Sequence, residues 1–94
     1  MTIQVRSILS LSKILSGRKI FIDLPDRSTL HELLRELTRI YGQDFYDMVC
    51  CEDGYPEDEV AILVNGSSAA ATGGVEIQLK DGDDVLILPI ISGG

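Results

Sequence analysis

The residues that could do chemistry in this 94-residue sequence are few, and most stand in patterns that do not favour catalysis. Cys50 and Cys51 are adjacent, a spacing that rarely satisfies disulfide geometry and lacks the two-residue gap of a zinc or redox pair. His31 is the single histidine, and no cysteine or second histidine stands near it to complete a site. We therefore interpret the cysteines as reduced structural thiols and His31 as a solvated helix residue, and we expect no metal site.

The last stretch of the sequence is DGDDVLILPIISGG. It is unusual because a long apolar run is followed by one serine and two glycines. A terminus without a role usually trails off in polar or charged residues. Gly93 and Gly94 instead leave bare backbone that cannot pack. This ending needs a functional explanation.

Charge and hydropathy argue against several classes of protein. Eight Lys and Arg against fifteen Asp and Glu give a formal charge of -7, whereas nucleic-acid binding requires a basic surface. An acidic chain suits a partner with a positive pocket, although acidity also serves solubility. No apolar run approaches the roughly 18 residues of a membrane span, and residues 1–17 lack the features of a signal peptide. We expect a cytoplasmic protein.

Four apolar stretches predict strands. Residues 3–8 alternate apolar and polar, and KIFIDLP places Ile20, Ile22 and Leu24 on one face before Pro25 ends it. SKILSG between them resembles a short turn of helix. VAILV ends in Asn65-Gly66, a strong hairpin signal, and KDGDD is a tight turn before VLILPII. Residues 43–59 are ambiguous, since DFYDMVCC fits either a helix or an edge strand.

One helix is clearly predicted after Pro25. Thr29 and Glu32 form a capping box, and Gly42 stands where a left-handed C-terminal cap belongs. The apolar stripe along this helix follows the helical period; it comprises Leu30, Leu33, Leu34, Leu37, Ile40 and Tyr41. The opposite face is charged and predicted to be exposed.

The order of these elements predicts an α+β fold of the β-grasp type. The hairpin and a central last strand belong to a mixed sheet of four to five strands. The crossing helix is the one main helix on which this sheet packs. We expect one domain over residues 1–94 with a flexible tail at about 92–94. Because VLILPII is apolar at every position, its outward side chains predict an apolar patch for another protein.

The sequence resembles the ubiquitin-like sulfur-carrier family, and most closely the small subunit of molybdopterin synthase. Three stretches are similar to that family: LPDRSTLHELLRELTRIYG, VAILVNGS and LKDGDDVLILPIISGG. They cover roughly half of the chain in the order found in the family. The sequence departs from many relatives in having one proline, Pro89, before the tail and no aromatic residue in its first strand.

The resemblance implies a carrier that is not a catalyst by itself. An adenylating enzyme of the ubiquitin-activating type would activate the carboxylate of Gly94 with ATP and magnesium, and a sulfur donor would convert it to a thiocarboxylate. The chain itself would bind no cofactor. The acceptor would be the large subunit of molybdopterin synthase or an equivalent enzyme. The tail and partner-binding residues would be Pro89, Ile90, Ile91, Ser92 and Gly93.

Two other functions remain open at this point. The chain could carry sulfur for thiamine, amino-acid or tRNA thiolation. It could also be a ubiquitin-like modifier joined to lysines through Gly94.

Overall fold

The computed structural model describes residues 1–7, 19–49 and 60–89. Five strands form one mixed sheet in the order β2-β1-β5-β3-β4, so the last strand is central, as predicted. The strands are β1 (Thr2–Ser7), β2 (Ile20–Asp23), β3 (Val60–Val64), β4 (Ser67–Ser68) and β5 (Asp84–Pro89). β1 pairs antiparallel with β2 and parallel with β5, and β3 pairs antiparallel with β5 and β4. The α+β β-grasp prediction is confirmed.

The core lies between one face of the sheet and helix α1 (Leu30–Tyr41). Alternate strand residues point into it, as a period of two requires. Those that are completely buried include Ile3 and Val5 of β1 and Val85 and Ile87 of β5. The helix contributes Leu30, Leu33, Leu34 and Leu37, also completely buried.

Helix α1 begins and ends where its sequence signals stand. The Thr29 side chain accepts a hydrogen bond from the Glu32 N–H, and the Glu32 carboxylate accepts one from the Thr29 N–H, which completes the capping box. Gly42 follows the last helical residue, as predicted, but its φ of 81° and ψ of −159° are not those of the left-handed cap expected there. This conformation is open almost only to glycine.

The prediction that Ile40 belongs to the buried apolar stripe is wrong, since its side chain is 45% exposed. At 100° per residue it lies on the margin of the stripe defined by the four buried leucines. The core at this end of the helix is filled instead by the second helix, α2 (Gln43–Val49), through Phe45 and Val49. Of the two structures open for residues 43–49, the helix is therefore the one that forms.

The hairpin predicted at Asn65-Gly66 is present. Both residues have positive φ values, 53° and 85°, as a two-residue turn between twisted antiparallel strands requires. The following segment contains β4, a short 3₁₀ turn (Gly74–Glu76) and a single bridge between Thr29 and Gln78. The SKILSG turn and both cysteines lie outside the described residues.

Candidate functional site

The candidate site is the C-terminal end of β5 and the sheet surface beside it. β5 is hydrogen-bonded on both sides, to β1 and to β3, and its inward side chains Val85 and Ile87 have no exposed surface. Pro89, its last residue, lies opposite Val60 at the start of β3. The predicted reactive residue Gly94 and the tail residues Ile90, Ile91, Ser92 and Gly93 follow this point and lie outside the described residues. The strand thus fixes where the tail begins.

The sheet face opposite α1 carries an apolar cluster beside the start of the tail. It consists of Ala61 and Leu63 of β3 and Leu86 and Leu88 of β5, which we call the outer apolar cluster. Leu63 lies opposite Leu86 and Ala61 opposite Leu88, so the four side chains are neighbours on one surface. All four are half-buried, whereas the alternate residues Ile62 and Ile87 belong to the core. The cluster is the outward half of a strand pair that is apolar on both faces.

A polar group borders this cluster near the start of β5. Asp84 accepts hydrogen bonds from the Arg6 guanidinium, with Nη2–Oδ2 at 2.6 Å and Nε–Oδ1 at 3.1 Å. The Gln4 amide donates to the same carboxylate at 2.8 Å. The hydrogen bond from Arg6 holds the pKa of Asp84 below its ordinary value. Asp84 therefore stays ionised, and the pair joins β1 to β5.

A second set of hydrogen bonds fixes the turn that leads into β5. The Asn65 side chain donates to Asp83 Oδ1 at 2.9 Å and accepts from the Asp84 N–H at 2.9 Å. The Lys80 N–H donates to Asp83 Oδ2 at 2.8 Å, which closes the turn around Gly82. These turns consequently fix the start of β5. The acidic turn lies at the end of the strand away from the tail.

The other chemical candidates do not gather around the tail. His31 is half-buried on α1, less exposed than the solvated position predicted for it. Residues 1–7, 19–49 and 60–89 contain no group of three or more His, Cys, Asp or Glu side chains that could hold a metal ion. Within the same residues, no helix is long and apolar enough to cross a membrane. What the described part of the site offers is a fixed strand end beside an apolar surface.

Sequence reasoning located β5 but not its neighbours on the outer face. Gln4 and Arg6 alternate with the buried residues of β1, so their position on the outer face could have been predicted from the period of two. Their contact with Asp84 could not, because it depends on the parallel register between the first and last strands.

Comparison with known proteins agrees with this fold. Residues 12–94 match the ThiS family. A protein of Archaeoglobus fulgidus named as a sulfur carrier is 30% identical over 69 residues, covering 73% of this chain and 77% of that protein. Small archaeal modifier protein 3 of Haloferax volcanii is 28% identical over the whole of both chains. The structure of a Pyrococcus furiosus protein described as molybdopterin converting factor subunit 1 is 26% identical, with a TM-score of 0.77, and covers 97% of this chain and 99% of that one.

The chain therefore belongs to the ThiS family of ubiquitin-like proteins, which confirms the resemblance seen in the sequence. The similar proteins are named as a sulfur carrier and as a small modifier. The family therefore defines a class of ubiquitin-like sulfur carriers and modifiers.

Proposed function

We propose that this chain is a sulfur carrier that supplies sulfur to molybdopterin biosynthesis from a thiocarboxylate at Gly94. The observation that carries the proposal is the position of β5: a central strand, buried at Val85 and Ile87, ends at Pro89 directly before the glycine-terminated tail. Similarity to a protein named as a sulfur carrier and to one described as molybdopterin converting factor subunit 1 supports it.

The proposed chemistry begins with a carboxylate, which is a poor electrophile until one of its oxygens becomes a leaving group. The activating enzyme would join the Gly94 carboxylate to AMP from ATP, releasing pyrophosphate, with magnesium bound by that enzyme. A hydrosulfide-equivalent donor would attack the acyl carbon and displace AMP, leaving a thiocarboxylate and a released proton. The thiocarboxylate sulfur is then a nucleophile that can be transferred to an acceptor.

The tail has the length and composition that such a reaction needs. Extended residues 90–94 would reach about 17 Å from the end of β5. Gly93 and Gly94 have no Cβ and accept any backbone torsion, so the reacting carbonyl could enter a deep and narrow site. Pro89 and Ile90 would set the direction of the tail and not take part in chemistry.

We further propose that the outer apolar cluster binds the acceptor enzyme, the molybdopterin synthase large subunit or an equivalent. A half-buried apolar surface beside the start of the tail would dock the partner and aim the tail into its pocket. The formal charge of -7 favours a pocket lined with basic groups.

Two carboxylate substitutions would test this surface. Leu88→Asp and Ile90→Asp should weaken binding, because an unpaired carboxylate in an apolar interface is costly. Ile40→Asp, which makes the same change at an exposed position of α1 on the other side of the sheet, is the matched control and should leave affinity unchanged. Unchanged affinity for both test variants by calorimetry, with folding verified by circular dichroism, would remove this surface from the proposal.

The function itself is tested by intact-mass spectrometry. The chain is incubated with an activating enzyme of the ubiquitin-activating type, ATP-magnesium and sulfide. We expect a mass gain at Gly94 equal to replacement of one oxygen by sulfur. If the adenylate forms and only its hydrolysis is seen, the chain is not a sulfur carrier.

A second candidate, a protein modifier conjugated to lysines through Gly94, is favoured by the full-length similarity to small archaeal modifier protein 3. Covalent adducts of the chain on other proteins in cells would support it, and thiocarboxylate without adducts would support the carrier. Transfer of sulfur to a thiamine, amino-acid or tRNA acceptor but not to a molybdopterin precursor would keep the carrier and change its pathway.

A further inference from the structure

The edge strand β2 carries the most exposed of the large apolar side chains that the structure describes. Phe21 is 63% exposed, and β2 pairs with a single described neighbour, β1. An open edge with an apolar side chain is a surface onto which another strand can add. The opposite edge strand, β4, has two residues and offers much less backbone.

The hydrogen bonds between β1 and β2 show which backbone groups face this open edge. Met1 and Leu24 exchange both of their hydrogen bonds, at 2.8 and 2.9 Å. In an antiparallel pair such residues alternate with residues whose backbone groups point the other way. The N–H and C=O of Phe21 and Asp23 therefore point away from β1. The Gly82 N–H bonded to the Thr2 carbonyl, on the far side of β1, agrees with this alternation.

The side chains along this edge are self-complementary. Lys19, Phe21 and Asp23 are all exposed and occupy alternate positions, which places them on the outer face of the sheet. Asp23 accepts a hydrogen bond from the Thr2 hydroxyl at 2.9 Å, and the charge of Lys19 contributes to lowering the pKa of Asp84. No salt bridge joins Lys19 or Asp23 to another described residue. If two copies pair antiparallel about a two-fold axis at Phe21, Lys19 of each copy lies opposite Asp23 of the other. The same register places outward-facing backbone groups opposite each other.

We propose that β2 binds β2 of a second copy in this register, forming a symmetric dimer with a continuous sheet. The two Phe21 residues form the central hydrogen-bonded pair, about 5.5 Å apart at Cα, and each end carries one Lys19–Asp23 pair. Shifting the register by two residues would oppose Phe21 to a charged residue and leave no Lys19–Asp23 pair. Charge complementarity therefore selects this register, and the short strand makes the dimer a weak, concentration-dependent one.

The dimer leaves the candidate site accessible. β5 is separated from β2 by β1, so the open edge and the outer apolar cluster lie on different parts of the sheet. Because the two β2 strands run antiparallel, the two β5 strands also run in opposite directions. The tails would leave from opposite ends of the joined sheet. The inference does not depend on the function proposed above.

Charge reversal provides a matched set of variants. Sedimentation at protein concentrations up to about 1 mM and at low salt should show monomer–dimer exchange for the natural chain. Lys19→Asp and Asp23→Lys should each weaken dimerisation at least about five-fold, since each creates two like-charge pairs. The double variant Lys19→Asp/Asp23→Lys should restore it, because both pairs again join opposite charges.

A second measurement needs no variant. In a mixed sample of labelled and unlabelled natural chain, we expect an intermolecular nuclear Overhauser effect between the Hα atoms of Ile20 and of Ile22 in the other copy. Those residues form the non-hydrogen-bonded pair of the proposed register. Absence of self-association up to about 1 mM would overturn the proposal. A dimer that the double variant does not restore, or whose contacts map to another surface, would overturn it as well.

Discussion

Ile87→Ala should lower the free energy of unfolding more than Leu86→Ala does, because the two residues lie on opposite faces of β5. Ile87 is completely buried on the central strand, whereas Leu86 is half-buried on the outer face. Both substitutions remove three carbon atoms. At about 0.8 kcal/mol per buried CH₂, the transfer cost for Ile87→Ala is about 2.4 kcal/mol, and the cavity left behind raises it to about 3 kcal/mol. For Leu86→Ala we expect about 1 kcal/mol.

Urea unfolding followed by circular dichroism measures this difference, since the chain contains no tryptophan for fluorescence. The midpoint should move with little change in slope. In thermal unfolding, Ile87→Ala should lower Tm by about 12 to 24 °C, because a loss of about 1 kcal/mol lowers it by about 4–8 °C in a domain of this size. Equal losses for the two variants would refute the assignment of inner and outer faces and, with it, the outer apolar cluster as an accessible surface.

Three further substitutions test local features of the fold. Arg6 lowers the pKa of Asp84 in the folded chain below its ordinary value of 3.8. The pair therefore contributes its full stability above pH 3.8 and loses it as the pH falls through the pKa of the folded state. Asp84→Asn should therefore flatten the decline in the free energy of unfolding between about pH 5 and about pH 2; an unchanged decline would contradict this. Thr29→Ala removes half of the capping box and should cost about 1 kcal/mol in urea unfolding, with Thr29→Ser as a nearly neutral control. In Gly66→Ala the added Cβ would meet no atom within 4 Å, so we expect a stability loss of about 1 kcal/mol from the φ of 85° alone. A neutral result would exclude that torsion as a source of strain.

The elements that could be predicted from the sequence are those fixed by local rules. The capping box at Thr29, the turn at Asn65-Gly66 and the alternation in β1 each depend on residues a few positions apart, and each is present in the structure. The central position of β5 followed from its continuous apolar character, since such a strand must be covered or paired on all sides.

The features that could not be predicted depend on contacts between distant residues. The Arg6–Asp84 pair joins positions 78 residues apart and exists only in one register of β1 and β5. Phe45 reaches the core through α2, whose Phe45 and Tyr46 N–H groups bond the Gly42 carbonyl. The sequence predicted that α1 ends at Gly42 but did not show whether the residues after it form a helix or an edge strand. The tail at 90–94 lies outside the described residues, so its predicted role stays a prediction.

The central claim is that the reactive group is the α-carboxylate of Gly94 and no side chain. The most direct test measures thiocarboxylate yield by intact mass for the natural chain and for a chain extended by one residue after Gly94, with Cys50→Ala and His31→Ala alongside. The extension moves the carboxylate by about 3.5 Å and converts the former carboxyl carbon into an amide. We predict full yield for the natural chain and both side-chain variants, and none for the extended chain at an unchanged thermal midpoint. A fully active extended chain, or an inactive cysteine or histidine variant with a normal midpoint, would contradict the claim.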